Sequence, residues 1–190
     1  PIWREDQPVY EKILITRGKW QDHTRQGRNV AYKIYRPAQS PQGDVKKLPV
    51  IIWSHGLGGT RDGAGFLARY IARFGYILVH VQHHGTDSFL WEGKEGHPWD
   101  NIRKAKIPRK AALQRYQDIP FALNCLEEGR DLDQALQNEM DLTAIGMSGH
   151  SFGAGTTQIM AGQTLGRGKR RYQYKEPRFT AGIVYSPIPS

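Results

Sequence analysis

Residues Gly149, His150, Ser151, Phe152 and Gly153 form a G-x-S-x-G run between an apolar stretch and a segment rich in small residues. A serine on a tight strand-to-helix turn is held in a strained conformation with its hydroxyl exposed, and flanking glycines let the turn approach the next helix. That helix aims its positive end at the turn, where it would stabilise a developing oxyanion. The chemistry this suits is nucleophilic attack on a carbonyl; the plain alternative is a glycine-rich turn with none. A second run, His55-Gly56-Leu57-Gly58-Gly59, follows the apolar stretch 48–53. Acyl transfer needs two backbone N–H donors converging on the tetrahedral oxygen, and glycines free a loop to present one of them. Leu57 and Phe152 are the expected donors. A glycine-rich loop can also cradle phosphate, but no Gly-Lys-Ser/Thr follows this one, so it fits no P-loop.

The elements that must hold these runs alternate between strand and helix. Residues 12–17 and 29–36 alternate polar and apolar side chains, which predicts an opening hairpin joined by the polar turn 21–28. The continuous apolar runs 48–53, 76–81 and 142–147 predict buried strands, and 181–185 a last one. Between them, 64–74 carries Phe66, Leu67, Tyr70, Ile71 and Phe74 at helical spacing, with Gly75 placed to cap the end. Segment 109–127 puts Leu113, Tyr116, Pro120 and Leu123 on one helical face, with a kink expected at Pro120. A small-residue helix runs from Gly153 to about Thr164. Strand, helix, strand, helix is the pattern of a mostly parallel sheet with flanking helices, an α/β fold in one domain over 1–190. The stretch 82–107 is long for a connection and predicts a functional or capping excursion, in which Trp91 and Trp99 wall an acyl pocket or pack a lid.

Composition narrows the classes. The chain has 190 residues, 38% of them apolar, which suits one globular domain and excludes disorder for most of its length. No apolar run approaches the roughly 18 residues of a membrane helix, so no transmembrane segment is expected. The single cysteine, Cys125, rules out an intrachain disulfide and reads as a core residue. The chain starts at Pro1 with no signal-like segment, which is compatible with a processed secreted or periplasmic form and leaves the compartment open. A net charge of +9 comes partly from basic stretches at 103–115 and 167–178, read as solvated faces; nucleic acid is not an expected partner. His80, His83, His84 and Asp87 gather at a strand end, but three imidazoles without a planned fourth ligand do not make a metal site, and no metal or cofactor is expected. Asp118 reads equally as a helper of the elbow or a solvated helix carboxylate.

From about Asn29 to Pro187 the chain resembles the α/β-hydrolase fold, closest to the platelet-activating-factor acetylhydrolase and dienelactone-hydrolase-like esterases, on the strings 54–58 and 149–153. The resemblance implies a serine esterase in which Ser151 attacks the ester carbonyl and the Leu57 and Phe152 amides form the oxyanion hole. It also implies that His83, in a Val-x-His sequence, lines the site; His55, Gly56 and His150 are expected there too. The acid and histidine of such a triad follow the serine in chain order, yet after Ser151 there is no His and no Asp, only Glu176 in a basic loop. A serine without a base is a weak nucleophile. The expectation is therefore that C-terminal strands carrying the acid and the base lie on a second chain or a further segment. Upstream, His83, His84 and His97 are the other candidates for the base. The expected substrate is a small or short-acyl ester, with anionic or phospholipid-like esters left open. An acyltransferase using the same serine is the nearest rival among enzymes. The reading from another class is a non-catalytic binding protein of the same fold that has lost its triad.

Overall fold

The computed structural model describes residues 9–39, 44–166, 168 and 171–187. Strands β1 (Ile13–Asp22) and β2 (Arg28–Pro37) form the opening antiparallel hairpin, with β1 running five residues past the expected end, to Asp22. There the Asp22 carboxylate accepts from the Thr24 amide and starts a short 3₁₀ turn. Strand β3 (Leu48–Ser54), helix α1 (Gly65–Ala72) and strand β4 (Ile77–Gln82) follow, then helices α2 (Pro98–Lys104), α3 (Arg109–Glu127) and α4 (Gln134–Glu139). Strand β5 (Met140–His150) leads into helix α5 (Phe152–Met160). After the small hairpin β6 (Thr164–Leu165) and β7 (Tyr172–Gln173) comes strand β8 (Phe179–Tyr185).

The six main strands lie in the order β1-β2-β4-β3-β5-β8, with β4, β3, β5 and β8 mutually parallel and β2 antiparallel to its neighbours β1 and β4. This is the mostly parallel sheet that the alternating pattern predicted. Successive strand residues serve opposite faces. Val50, Ile52, Ile77 and Val79 meet the core that contains Ile119, Leu123 and Ile159 of α3 and α5, while Ile51 and Leu78 pack with Ala68 and Ala72 of α1. Strand β8 occupies one edge of the sheet, with Ile183, Val184 and Tyr185 exposed.

Helix α3 corrects two expectations. Its buried face is not Leu113, Tyr116 and Pro120, which are half-buried, but Ala111, Arg115, Asp118, Ile119, Ala122, Leu123 and Leu126. The helix turns that way because Arg115 and Asp118 find hydrogen-bond partners inside the molecule, so the polar residues face inward with the apolar ones. The basic stretch 103–115 is thus not wholly solvated. In the second stretch Arg167, Lys169 and Arg170 fall outside the described residues, and Arg178 is committed to Glu176 and Glu127. Cys125 is fully buried, and burial pushes its thiol up to about 11.

Candidate active site

Parallel strands deliver their C-terminal ends to one edge of a sheet, and here the ends of β3, β4 and β5 carry His55, His83 and Ser151. Ser151 stands between β5 and α5 with φ 54° and ψ −115°, a left-handed conformation that costs a non-glycine residue energy. The surroundings over-determine it. The Ser151 amide donates to the Tyr185 carbonyl at 2.9 Å, and its carbonyl accepts from Gly155 at 3.2 Å. Gly149 and Gly153 are both needed. A Cβ on Gly149 would overlap the Gly153 backbone, and one on Gly153 would overlap the Ser54 carbonyl, so α5 starts at backbone contact with β3.

Gly56 faces this elbow: a Cβ there would lie 3.5 Å from the Ser151 Cβ and 3.3 Å from the His150 carbonyl. The loop is pinned on several sides. Gly58 N–H donates to the Thr86 carbonyl at 2.9 Å, and the Trp91 indole N–H donates to the Gly58 carbonyl at 2.7 Å. The excursion after β4 therefore clamps the loop, while Trp99 stands 60% exposed on α2. At the base of the loop the His83 amide donates to His55 Nε2 at 3.0 Å, so the His55 proton resides on Nδ1, which donates to the Gly56 carbonyl at 2.7 Å. Burial, with the Arg115 charge second, holds His55 well below its ordinary range and keeps it neutral. In a planar trans peptide C=O and N–H point in opposite directions, so drawing the Gly56 carbonyl toward His55 turns the Leu57 N–H away from it. Among the described residues no acceptor takes the Leu57 amide, and Phe152, as the first residue of α5, has no acceptor within its helix.

His55 and His83 do not line the surface of this site, as the sequence led one to expect. They are 3% and 0% exposed and underpin it. His83 Nδ1 lies 3.1 Å from Asp118 Oδ2, and its Nε2 lies 3.0 Å from Ser54 Oγ. Burial works against the Asp118 charge, but hydrogen bonds from Arg28 and His83 outweigh it and hold the carboxyl at about 2. Burial and the Arg115 charge push His83 down to about 4, so a neutral ring donates from Nδ1 to Asp118 and accepts the Ser54 hydroxyl at Nε2. Asp118 is neither a solvated carboxylate nor a partner of the elbow: Arg25 and Arg28 of the opening hairpin bind it at 2.7 Å. Ser54, His83 and Asp118 thus have the connectivity of a catalytic triad. Yet Ser54 is fully buried and its oxygen accepts from Arg115 at 2.8 Å, so no substrate reaches it.

The remaining candidates lie apart. His150 is exposed beside Gly56, and His97 caps α2. His84 is exposed, 3.9 Å from Asp87. His80 is buried at 3.2 Å from the Arg61 carbonyl and is pushed down to about 4 by burial. Glu176 is held by Arg178 at 2.8 Å. Arg115, at the centre of the network, was missed by the sequence reading, since it sits among surface-type basic residues and only its place on the inward face of α3 sets it apart.

A candidate dienelactone hydrolase from Klebsiella pneumoniae subsp. pneumoniae MGH 78578 superposes with a TM-score of 0.59 at 16% identity, over 93% of this chain and 62% of that one. The chain is an α/β-hydrolase by fold. Within that fold, residues 28–94 match the family model for platelet-activating factor acetylhydrolase, isoform II, which covers the β2 to β4 region and the 54–59 loop. Two curated sequences named platelet-activating factor acetylhydrolase are similar to this chain. That of Cavia porcellus is 29% identical over 172 residues, and that of Canis lupus familiaris 27% identical over 145. The aligned regions take up 78% and 62% of this chain but 37% and 32% of those proteins, so the chain spans about a third of the length of these two relatives.

Proposed function

We propose that the protein containing this chain is a serine carboxylic-ester hydrolase that works through an acyl-enzyme on Ser151. The observation that carries this reading is the elbow itself: a left-handed serine at the head of α5, with the backbone of Gly56 against its Cβ. Ser151 Oγ would attack the ester carbonyl while a base takes its proton. The carbonyl oxygen becomes an oxyanion facing the Leu57 and Phe152 amides and the positive end of α5. Collapse breaks the bond to the alcohol, which leaves with the proton, and water then releases the acid from Ser151. The similarity to acetylhydrolases supports a short-acyl ester as substrate. The chemistry asks for no cofactor.

The base and its carboxylate come from outside residues 1–190, on a second chain or a further segment. All seven histidines of the chain are described, and none hydrogen-bonds to Ser151. The non-catalytic reading has no observation of its own, because a binding protein would not need the strained serine. Treating the protein at its native length with a fluorophosphonate probe is expected to add one adduct, on the peptide that contains Ser151, and Ser151→Ala should remove both the adduct and hydrolysis of p-nitrophenyl acetate. An unmodified protein, or a Ser151→Ala variant with intact activity, would overturn the assignment.

A further inference from the structure

One buried cation has no part in the reaction outlined above. Arg115 is fully buried in α3 and, among the described residues, lies within ion-pair distance of no carboxylate. Burying an unpaired charge is costly, so its hydrogen bonds must be well made. They are: Nε donates to Thr156 Oγ1 at 2.8 Å, Nη1 to Thr86 Oγ1 at 3.0 Å, and Nη2 to Ser54 Oγ at 2.8 Å and to the His55 carbonyl. The guanidinium carbon also lies 4.9 Å from the centre of the Phe152 ring.

These partners belong to the segments that meet at the site. Ser54 and His55 lead into the loop that presents Leu57, and Thr86 belongs to the excursion that receives the Gly58 amide. Thr156 lies in the first turns of α5, where its hydroxyl also donates to the carbonyl of Phe152, the second expected donor. The planar fork reaches all of them from one side chain, with divergent N–H groups that a lysine cannot reproduce. We propose that Arg115 is the positioning residue of the oxyanion hole, fixing the distance between the Leu57 and Phe152 amides from beneath. This rests on the reading of Ser151 as the nucleophile. Amides held in place for the oxyanion act more on the transition state than on substrate binding, so the benefit of Arg115 is felt in kcat.

The test uses the protein at native length, with Arg115→Lys and Arg115→Met compared with the unaltered protein in p-nitrophenyl acetate hydrolysis and in the rate of fluorophosphonate labelling. Expected is a fall in kcat of about 100-fold with KM within about threefold, and a matching slowing of labelling. Thr86→Val and Thr156→Val each remove one acceptor of the fork and keep the charge. They keep the proposal testable where the arginine variants do not fold, and each should lower kcat by about 5–10-fold at unchanged KM. Folded variants that keep their kcat, or that lose activity only through KM, would overturn the role of Arg115. A protein whose unaltered form takes no label fails at Ser151 instead, and the proposal falls with it.

Discussion

His55 Nδ1–H donates to the carbonyl of Gly56, the next residue, at 2.7 Å. Such a short-range bond is available only because the His83 amide occupies Nε2 and so fixes the tautomer. His55→Phe removes one of the two donors to the Gly56 carbonyl, the Gly59 amide at 3.1 Å being the other, and should loosen the aim of the Leu57 amide. The expected cost is about 100-fold in kcat with little change in KM, measured in p-nitrophenyl acetate turnover at native length. Equal kcat in a folded variant would show that the loop holds itself.

Acid should weaken the fold before it reaches the carboxylates. His80 and His83 titrate at about 4 in the folded state, burial being the main cause, against 6.5 for the free side chain. The unfolded chain therefore binds protons below about pH 6.5 while the folded chain does not until about pH 4. Stability is complete above that window and declines as pH falls through it. Asp118, at about 2, stays ionised in both states through most of the window and adds no slope there. The guanidinium chloride midpoint should drop steadily from pH 7 to pH 5; a flat profile would contradict the buried neutral imidazoles.

Gly153→Ala and Gly155→Ala should differ in sign, although they sit two residues apart in one helix. A methyl at Gly153 meets the Ser54 and His55 carbonyls, backbone that cannot yield, and about 3 kcal/mol or more of stability should be lost. At Gly155 nothing lies within 4 Å of the added carbon, so alanine should stabilise by about 0.5–1 kcal/mol. Thermal unfolding of the two variants side by side decides the point.

Asp118→Asn removes the charge that Arg25 and Arg28 share, leaving two guanidiniums of the hairpin without their common carboxylate. The expected loss is about 3–5 kcal/mol in denaturant unfolding. A loss under about 1 kcal/mol would mean that the arginines find other partners, Asp22 for Arg25 among them.

The strands and the elbow were legible in the sequence because each depends on short-range pattern: apolar runs for β3, β4 and β5, and glycines at 149 and 153 around a serine. Other features depend on which way a helix turns, and local pattern misled there. Leu113 and Tyr116 suggest an apolar face of α3, yet Arg115 and Asp118 share the inward face with Ile119 and Leu123, and their partners lie 29 to 93 residues away. For the same reason His83 read as a surface group. An imidazole at a strand end looks identical in sequence whether it meets solvent or a carboxylate from a distant helix.

The buried chain of Ser54, His83 and Asp118 bears on how hydrolases are recognised at all. A search for a hydroxyl, an imidazole and a carboxylate at triad spacing would return this trio and pass over Ser151. Spacing alone would point a mutagenesis campaign at residues whose replacement silences the protein by collapsing its interior, and the loss would look like proof of catalysis. Solvent access and backbone strain separate Ser151, the proposed nucleophile, from its buried double.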